Sequence, residues 1–340
     1  VNQSYLKISI ICNTFSSSKQ SCKAKLYSNE NWILLYLNFV VVCLTQLKAA
    51  TELKVLVSNK AFHSLVSGVM QGVSEPLLLL KANNSPHTYS LRPSDALNLQ
   101  KADLVFWGGE ILEGFLAKPI QSLSTNAKLV SLQETPGLKK WPQRSGKEWK
   151  RNESETNLDH AGENDTERPF GADPHIWLDP RNAKIITSKV VEILTAIDPQ
   201  NAQAYLRNGE KYGLRLELLD RRLKAEMTKV SETPYMVFHD AYQYFERRYQ
   251  LNIIGSVMVH IGYGTSVRRM MEVRKTIKKE KIRCIFSEPQ FSPKLVQTLI
   301  AGTSVKKGIL DPLGAALEPG AELYFTLLKN LSRSFSKCLN

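Results

Sequence analysis

Short, continuous apolar runs alternate with longer segments of helical spacing along most of the chain. Lys54–Val57, Leu77–Leu80, Asp103–Trp107 and Lys128–Leu132 are the first four runs. Between them, Phe62–Gln71, Pro93–Lys101 and Glu110–Ser122 read as helices. The rhythm returns with Tyr235–Phe238, Ile253–Val257, Ile282–Phe286 and Lys307–Leu310. Strands that are apolar throughout, with no polar alternation, are buried on both faces. The pattern therefore predicts an α/β fold of two lobes, each with a four-stranded parallel sheet and flanking helices.

The stretch between the two sets of strands carries a different period. Asp198-Pro199 is a helix start, an N-cap followed by a proline suited to the first turn. Apolar residues then recur at Tyr205, Tyr212, Leu216, Leu219, Leu223 and Met227, spaced by 7, 4, 3, 4 and 4, which marks one face of a helix. A helix of about 30 residues would run roughly 45 Å, longer than one small lobe, and suits a rigid spine joining the two. Residues 134–172 are polar and rich in Lys, Glu, Asn and Gly, and are expected to form a mobile loop. The expected organisation is an N-terminal extension and signal over 1–50, a lobe over 51–197, a linking helix over 198–231 and a second lobe over 232–340.

Composition changes this picture at the N-terminus. The formal charge is +13, and residues 1–50 hold five Lys, no Arg and one acid, Glu30. Asn31–Leu47 is almost wholly apolar, follows Lys23 and Lys25, and precedes Ala49-Ala50, as in an export signal. An uncleaved anchor helix and a lipidated Cys43 are the alternatives. Residues 1 to 22 fit neither signal nor domain and read as lying upstream of the true start. Elsewhere the Lys and Arg are scattered, without basic runs interleaved with aromatics, which argues against nucleic-acid binding. Beyond the expected signal, two cysteines remain, Cys284 and Cys338. In an exported chain an even pair without CxxC spacing reads as one structural disulfide, two unrelated buried thiols being the alternative.

Of the six histidines, His87, His175 and His239 occupy related places. His87 follows the Leu77–Leu80 run, His239 comes directly after Phe238, and His175 follows the long loop after Asp173-Pro174. Ligands of open parallel sheets bind beyond the carboxyl ends of the strands, so the three point to one cleft between the lobes. Three neutral imidazoles suit Zn²⁺, with Asp311, after the last strand, or water as the fourth ligand. His63 and Asp240 are candidates to support the ligands from behind; His260 sits in a loop of the second lobe.

Three segments then carry a resemblance: Ser85–Asp95 (SPHTYSLRPSD), Asp173–Pro180 (DPHIWLDP) and Phe238–Phe245 (FHDAYQYF). With Ser287–Phe291 (SEPQF) and Leu310–Gly314 (LDPLG) they resemble, in order over about 52–339, the zinc-uptake (ZnuA-type) solute-binding proteins of ABC importers. The resemblance implies a monomeric periplasmic protein of a Gram-negative bacterium. It would hold Zn²⁺ between two lobes joined by a long helix and dock peripherally on a membrane permease. It also implies a disulfide in the C-terminal lobe, which Cys284 and Cys338 fit. An imidazole at His239, where related manganese binders carry a carboxylate, favours Zn²⁺ over Mn²⁺. Pro86 stands where some relatives carry an acid. The 134–172 loop holds one histidine, His160, where zinc binders often carry many. A manganese/zinc binder or an adhesin of the same family is the nearest alternative. A zinc hydrolase is the distant one, because the chain has no HExxH helix and no other hydrolase motif.

Overall fold

The computed structural model describes residues 8–13, 21–26, 52–81, 84–144, 149, 171–258 and 265–340. The expected export segment 31–47 lies outside the described residues, as do His160 and His260. Contacts divide the chain into Val1–Glu52 and Leu53–Asn340. In the first unit, β1 (Ile8–Asn13) pairs antiparallel with β2 (Ser21–Leu26).

The second unit contains two four-stranded parallel sheets. One is built from β3 (Val55–Val57), β4 (Leu77–Leu78), β5 (Leu104–Trp107) and β6 (Lys128–Ser131), in the order β4-β3-β5-β6. The other is built from β7 (Tyr235–Val237), β8 (Ile253–Ser256), β9 (Cys284–Ser287) and β10 (Lys306–Ile309), in the order β10-β9-β7-β8. Central strands β3, β7 and β9 are buried at every residue, which is why they lack polar alternation. The edge strands β4 and β10 expose Leu77 and Lys306-Lys307. In each sheet the chain leaves its first strand to one side and returns on the other. The crevices this opens lie at the carboxyl ends of β3 and β7.

Helices α1 (Lys60–Met70), α2 (Pro93–Lys101), α3 (Ala117–Leu123) and α4 (Pro180–Ile197) belong to the first half. Then comes α5 (Ala202–Met227), and after it α6 (Gln243–Tyr249), α7 (Val267–Lys279), α8 (Lys294–Ile300) and α9 (Leu323–Leu339). The 26 residues of α5 span roughly 39 Å at 1.5 Å each. Its buried face includes Tyr205, Tyr212, Leu216, Leu219, Leu223 and Met227, the residues whose spacing marks the helix. α5 packs on α1, α4 and α9, and so touches elements from both halves. Gly68 of α1 permits the closest approach, because a Cβ there would stand 2.2 Å from Tyr212 Cε2.

Three elements differ from the expected ones. α5 begins later than Asp198-Pro199, after a short 3-10 turn over Pro199–Asn201. Asp198 Oδ2 accepts from Asn201 Nδ2 (2.8 Å) and the Tyr205 hydroxyl (2.6 Å) instead of capping backbone amides. The 110–122 segment is helical only from Gly114, first as a 3-10 turn. Before it, Gly109 takes φ +103°, and the buried Glu113 carboxylate accepts from Gly108 N (2.7 Å) and Asn59 Nδ2 (3.0 Å). Helix α4 is an element beyond those the apolar pattern predicts; Asp179 caps it at Arg181 N and Pro180 opens it.

Cys284, opening β9, is joined by a disulfide to Cys338 in the last turn of α9. Among the described residues, no helix is long and apolar enough to cross a membrane.

Candidate metal centre

Each of the three histidines is delivered by a different local device. His87 lies in the Pro86–Thr88 turn, closed by Thr88 N donating to Ser85 O (3.2 Å). His175 precedes the 3-10 turn Ile176–Leu178, and its backbone N–H donates to Asp173 Oδ1 (2.9 Å). His239 follows β7 beyond its carboxyl end, in the crevice where the strand order reverses. The ring centroids stand 5.3 Å (87–175), 5.6 Å (175–239) and 6.1 Å (87–239) apart. One ring nitrogen from each lies within 4.8 Å of the other two.

Carboxylates decide which nitrogens face inward. His175 Nδ1 sits 2.7 Å from Asp173 Oδ1, and His239 Nδ1 sits 2.5 Å from Glu288 Oε1. A carboxylate accepts a hydrogen bond from Nδ1–H, which keeps the proton on Nδ1 and leaves Nε2 with its lone pair toward the centre. His239 Nε2 is buried and has no hydrogen-bond partner among the described residues. His87 Nε2 and His175 Nε2 are 3.3 Å apart. Two nitrogens bound to one zinc at about 2.0–2.1 Å and a tetrahedral angle would be roughly 3.3–3.4 Å apart, so this spacing fits the ion.

Electrostatics separates the three rings. Burial pushes His175 down to about 3, with the neighbouring His239 adding to the effect. Burial, and then the rings of His175 and His239, hold His87 well below the usual histidine value. Burial acts on His239 in the same direction, but the Glu288 carboxylate outweighs it and the net shift is upward. Thus burial keeps the His87 and His175 rings neutral, while His239 is the ring of the three that most readily takes a proton. The cavity beside the rings measures about 10 Å³, the room of one water-sized body. Trp177, Phe291 and Leu313 are among its apolar walls.

The chain matches, over residues 55–338, the family model for the zinc-uptake complex component A, periplasmic (ZnuA). The chain belongs to this ZnuA family. The high-affinity zinc uptake system protein ZnuA of Brucella suis is 39% identical over 305 residues, covering 84% of this chain and 91% of that protein. Its counterpart in Yersinia pestis is 32% identical over 289 residues, with 84% and 91% covered. A crystal structure of ZnuA superposes with TM-score 0.70 at 23% identity, covering 85% of this chain and 99% of that one. The solute-binding protein FpvC of Pseudomonas aeruginosa, solved with Mn²⁺, gives TM-score 0.71 at 20% identity, with 85% and 99% covered. At that identity the two structures establish the shared α/β fold.

The other residues singled out from the sequence stand elsewhere. Asp311 lies outside the three-histidine cluster of this ZnuA-family chain. Its Oδ1 accepts from Leu313 N (3.1 Å), Gly314 N (2.9 Å) and Gln290 Nε2 (3.3 Å), and its Oδ2 from Ala315 N (2.6 Å). Lys60 of α1 grips the same loop through the carbonyls of Ala315 (2.7 Å) and Leu317 (2.8 Å). Asp311 thus shapes the loop whose Pro312 carbonyl receives Trp177 Nε1 (2.8 Å). His63 ties α1 to the segment before β4, with Nε2 2.9 Å from Pro76 O and Nδ1 3.3 Å from Ser67 Oγ. Asp240 pairs with Arg144.

The carboxylates behind the rings are Asp173 and Glu288, which sequence reasoning did not assign. Asp173, two residues before His175 in the Asp-Pro-His motif, carried a readable signal. Glu288 follows β9 as His239 follows β7, but their approach depends on β7 and β9 being neighbours in the sheet.

Proposed function

We propose that this chain is the periplasmic zinc-binding protein of an ABC-type uptake system. It captures Zn²⁺ on His87, His175 and His239 between lobes 51–197 and 232–340 and hands it to a membrane permease. The observation that carries this reading is the convergence of three imidazole nitrogens with carboxylates behind two of them. The 3.3 Å His87–His175 nitrogen spacing supports a tetrahedral ion. The same chemistry accounts for membership of a zinc-uptake family.

The ion is cargo, so the site must bind tightly and yet let go. Neutral His87 and His175 lose no binding energy to deprotonation near neutral pH. Glu288 and Asp173 raise ligand basicity and fix ring orientation. A water molecule takes the fourth position in this reading, because the Asp311 carboxylate is engaged by backbone amides. Mn²⁺ fits less well, since it prefers carboxylate and water ligands to three imidazoles. Hydrolysis is disfavoured: Glu288 is bound to His239 and so not available as a general base. The protein acts as an exported monomer that meets the membrane only by docking on its permease.

Competition between the two metals tests the reading. Equimolar Zn²⁺ and Mn²⁺ offered to the purified protein should leave zinc bound at one ion per chain. Equal occupancy by manganese would favour the manganese/zinc alternative. Delivery is tested in a bacterium lacking its own zinc-binding component, where the wild-type chain should restore growth under chelation and His239→Ala should not.

A further inference from the structure

We infer that Arg144 is a positioning residue of the metal site, strapping together the chain segments that carry His175 and His239. The inference rests on reading the three imidazoles as a zinc site.

The two described ends of the polar loop form a short stem. Pro142 and Ala172 make an antiparallel bridge, Gln143 N donates to Gly171 O (3.2 Å), and Asp173 N donates to Trp141 O (2.7 Å). The stem therefore runs straight into Asp173, whose carboxylate holds His175 Nδ1. Its other strand faces the segment after His239. Tyr244, in α6, donates its hydroxyl to Asp173 O (2.9 Å) and accepts from Trp141 N (3.3 Å). Gln243, with its amide turned to donate, reaches Pro142 O (3.1 Å) and Asp173 Oδ2 (3.0 Å).

Arg144 completes this wedge. Its Nε and one terminal nitrogen meet both oxygens of Asp240 (3.1 and 2.6 Å), the residue immediately after His239. The same terminal nitrogen donates to Glu246 Oε2 (2.6 Å), in α6. The guanidinium lies 3.9 Å from the centroid of the Trp149 ring, and Trp149 N donates to Ile254 O (2.9 Å), which anchors the platform to β8. The Glu246 side chain is only 2% exposed and that of Arg144 only 13%. A planar five-donor fork satisfies two carboxylates at once, which a lysine ammonium cannot reproduce. Without it, two carboxylates would repel each other beside His239. Arg144 touches none of the three rings, yet its bonds close a path from the backbone at His239 through the stem to Asp173. Such a path keeps the His239 and His175 rings together, with their ring nitrogens within 4.8 Å.

The test measures zinc release to a chromogenic chelator, and the melting temperature of the metal-free protein, on the full chain. The variants are Arg144→Lys, Arg144→Met, the charge-balanced triple Arg144→Met/Asp240→Asn/Glu246→Gln, and His239→Ala. Outer supports of metal ligands typically matter by 10- to 100-fold, and Arg144 acts one bond further out, so release from Arg144→Met should quicken about tenfold. Arg144→Lys should give a smaller increase. The triple variant buries no unpaired charge and should melt near the wild-type temperature while still releasing zinc faster. Wild-type release from the triple variant, or faster release only in variants whose melting temperature falls, would overturn the inference. Zinc held equally by wild type and His239→Ala would overturn the site reading itself, and the inference with it.

Discussion

Replacing Glu288 by Gln isolates the contribution of one charge behind one proposed ligand. Glu288 is 3% exposed and its Oε1 lies 2.5 Å from His239 Nδ1, so the pair is a buried, charge-assisted hydrogen bond. Gln keeps the size and an acceptor oxygen, so the bond survives but its charge does not. Hydrogen bonds to charged groups contribute about 1.5–3 kcal/mol against about 0.5–1.5 for neutral ones, a difference of about 1–2 kcal/mol. At pH 8 that corresponds to a zinc affinity roughly 5- to 30-fold weaker. The pH dependence adds a second signature. Glu288 raises the His239 value above the usual 6.5, so a proton competes with zinc there as pH falls through that raised value. His175, pushed down to about 3, and His87, well below its usual value, add no slope near neutrality. The Gln variant moves the His239 midpoint down, so the affinity ratio of wild type to variant should shrink from pH 8 to pH 6. The metal-free fold titrates through the same ring. A raised histidine value contributes stability fully below the unfolded 6.5 and loses it as pH rises through the folded value. Zinc titrations of both proteins at pH 6, 7 and 8 read the ratio directly. A variant within twofold of wild type at pH 8, or a ratio that grows as pH falls, would refute the role given to Glu288.

Two further substitutions probe the scaffold. The Cys284→Ala/Cys338→Ala variant loses a link across 54 residues, which loop-closure entropy values at about 4 kcal/mol. At about 2–4 °C per kcal/mol, melting should fall by roughly 10 °C. Zinc affinity should stay within twofold, because Cys284 opens β9 whereas Glu288 lies beyond its other end; an unchanged melting temperature would contradict the expectation. Gly68→Ala gains about 1 kcal/mol of helix propensity but drives a methyl to 2.2 Å from a buried tyrosine ring whose hydroxyl is bonded to Ala321 O. Overpacking at about 1–3 kcal/mol should win, and a variant that melts higher than wild type would show that the α1–α5 contact can yield.

The parts of the fold legible in the sequence are those set by local periodicity. Six apolar residues at helical spacing mark α5 because that face packs against three other helices. Apolar strands mark two parallel sheets because both faces are covered. His87 and His239 could be placed at one cleft because each follows a strand. An even pair of cysteines beyond the expected signal left a disulfide between Cys284 and Cys338 and two separate thiols both open, and the family resemblance implied the disulfide. Features depending on distant partners were not legible. Arg144 meets Asp240 and Glu246 across 96 and 102 residues, and nothing in the local pattern of the polar loop announces it. Asp311 shows why position after a strand is not enough. Its position after a strand suggests a ligand, but Asp before Pro-Leu-Gly also builds a turn whose carboxylate collects the following amides. Those amides hold it here.

The most direct measurement is zinc calorimetry on the wild-type protein beside a His87→Ala/His175→Ala/His239→Ala variant. The account predicts one tight zinc site per chain, absent from the variant, with the fold of the variant intact by circular dichroism. Tight, stoichiometric zinc binding that persists in a folded variant would contradict it, because the three imidazoles would then not be what holds the ion.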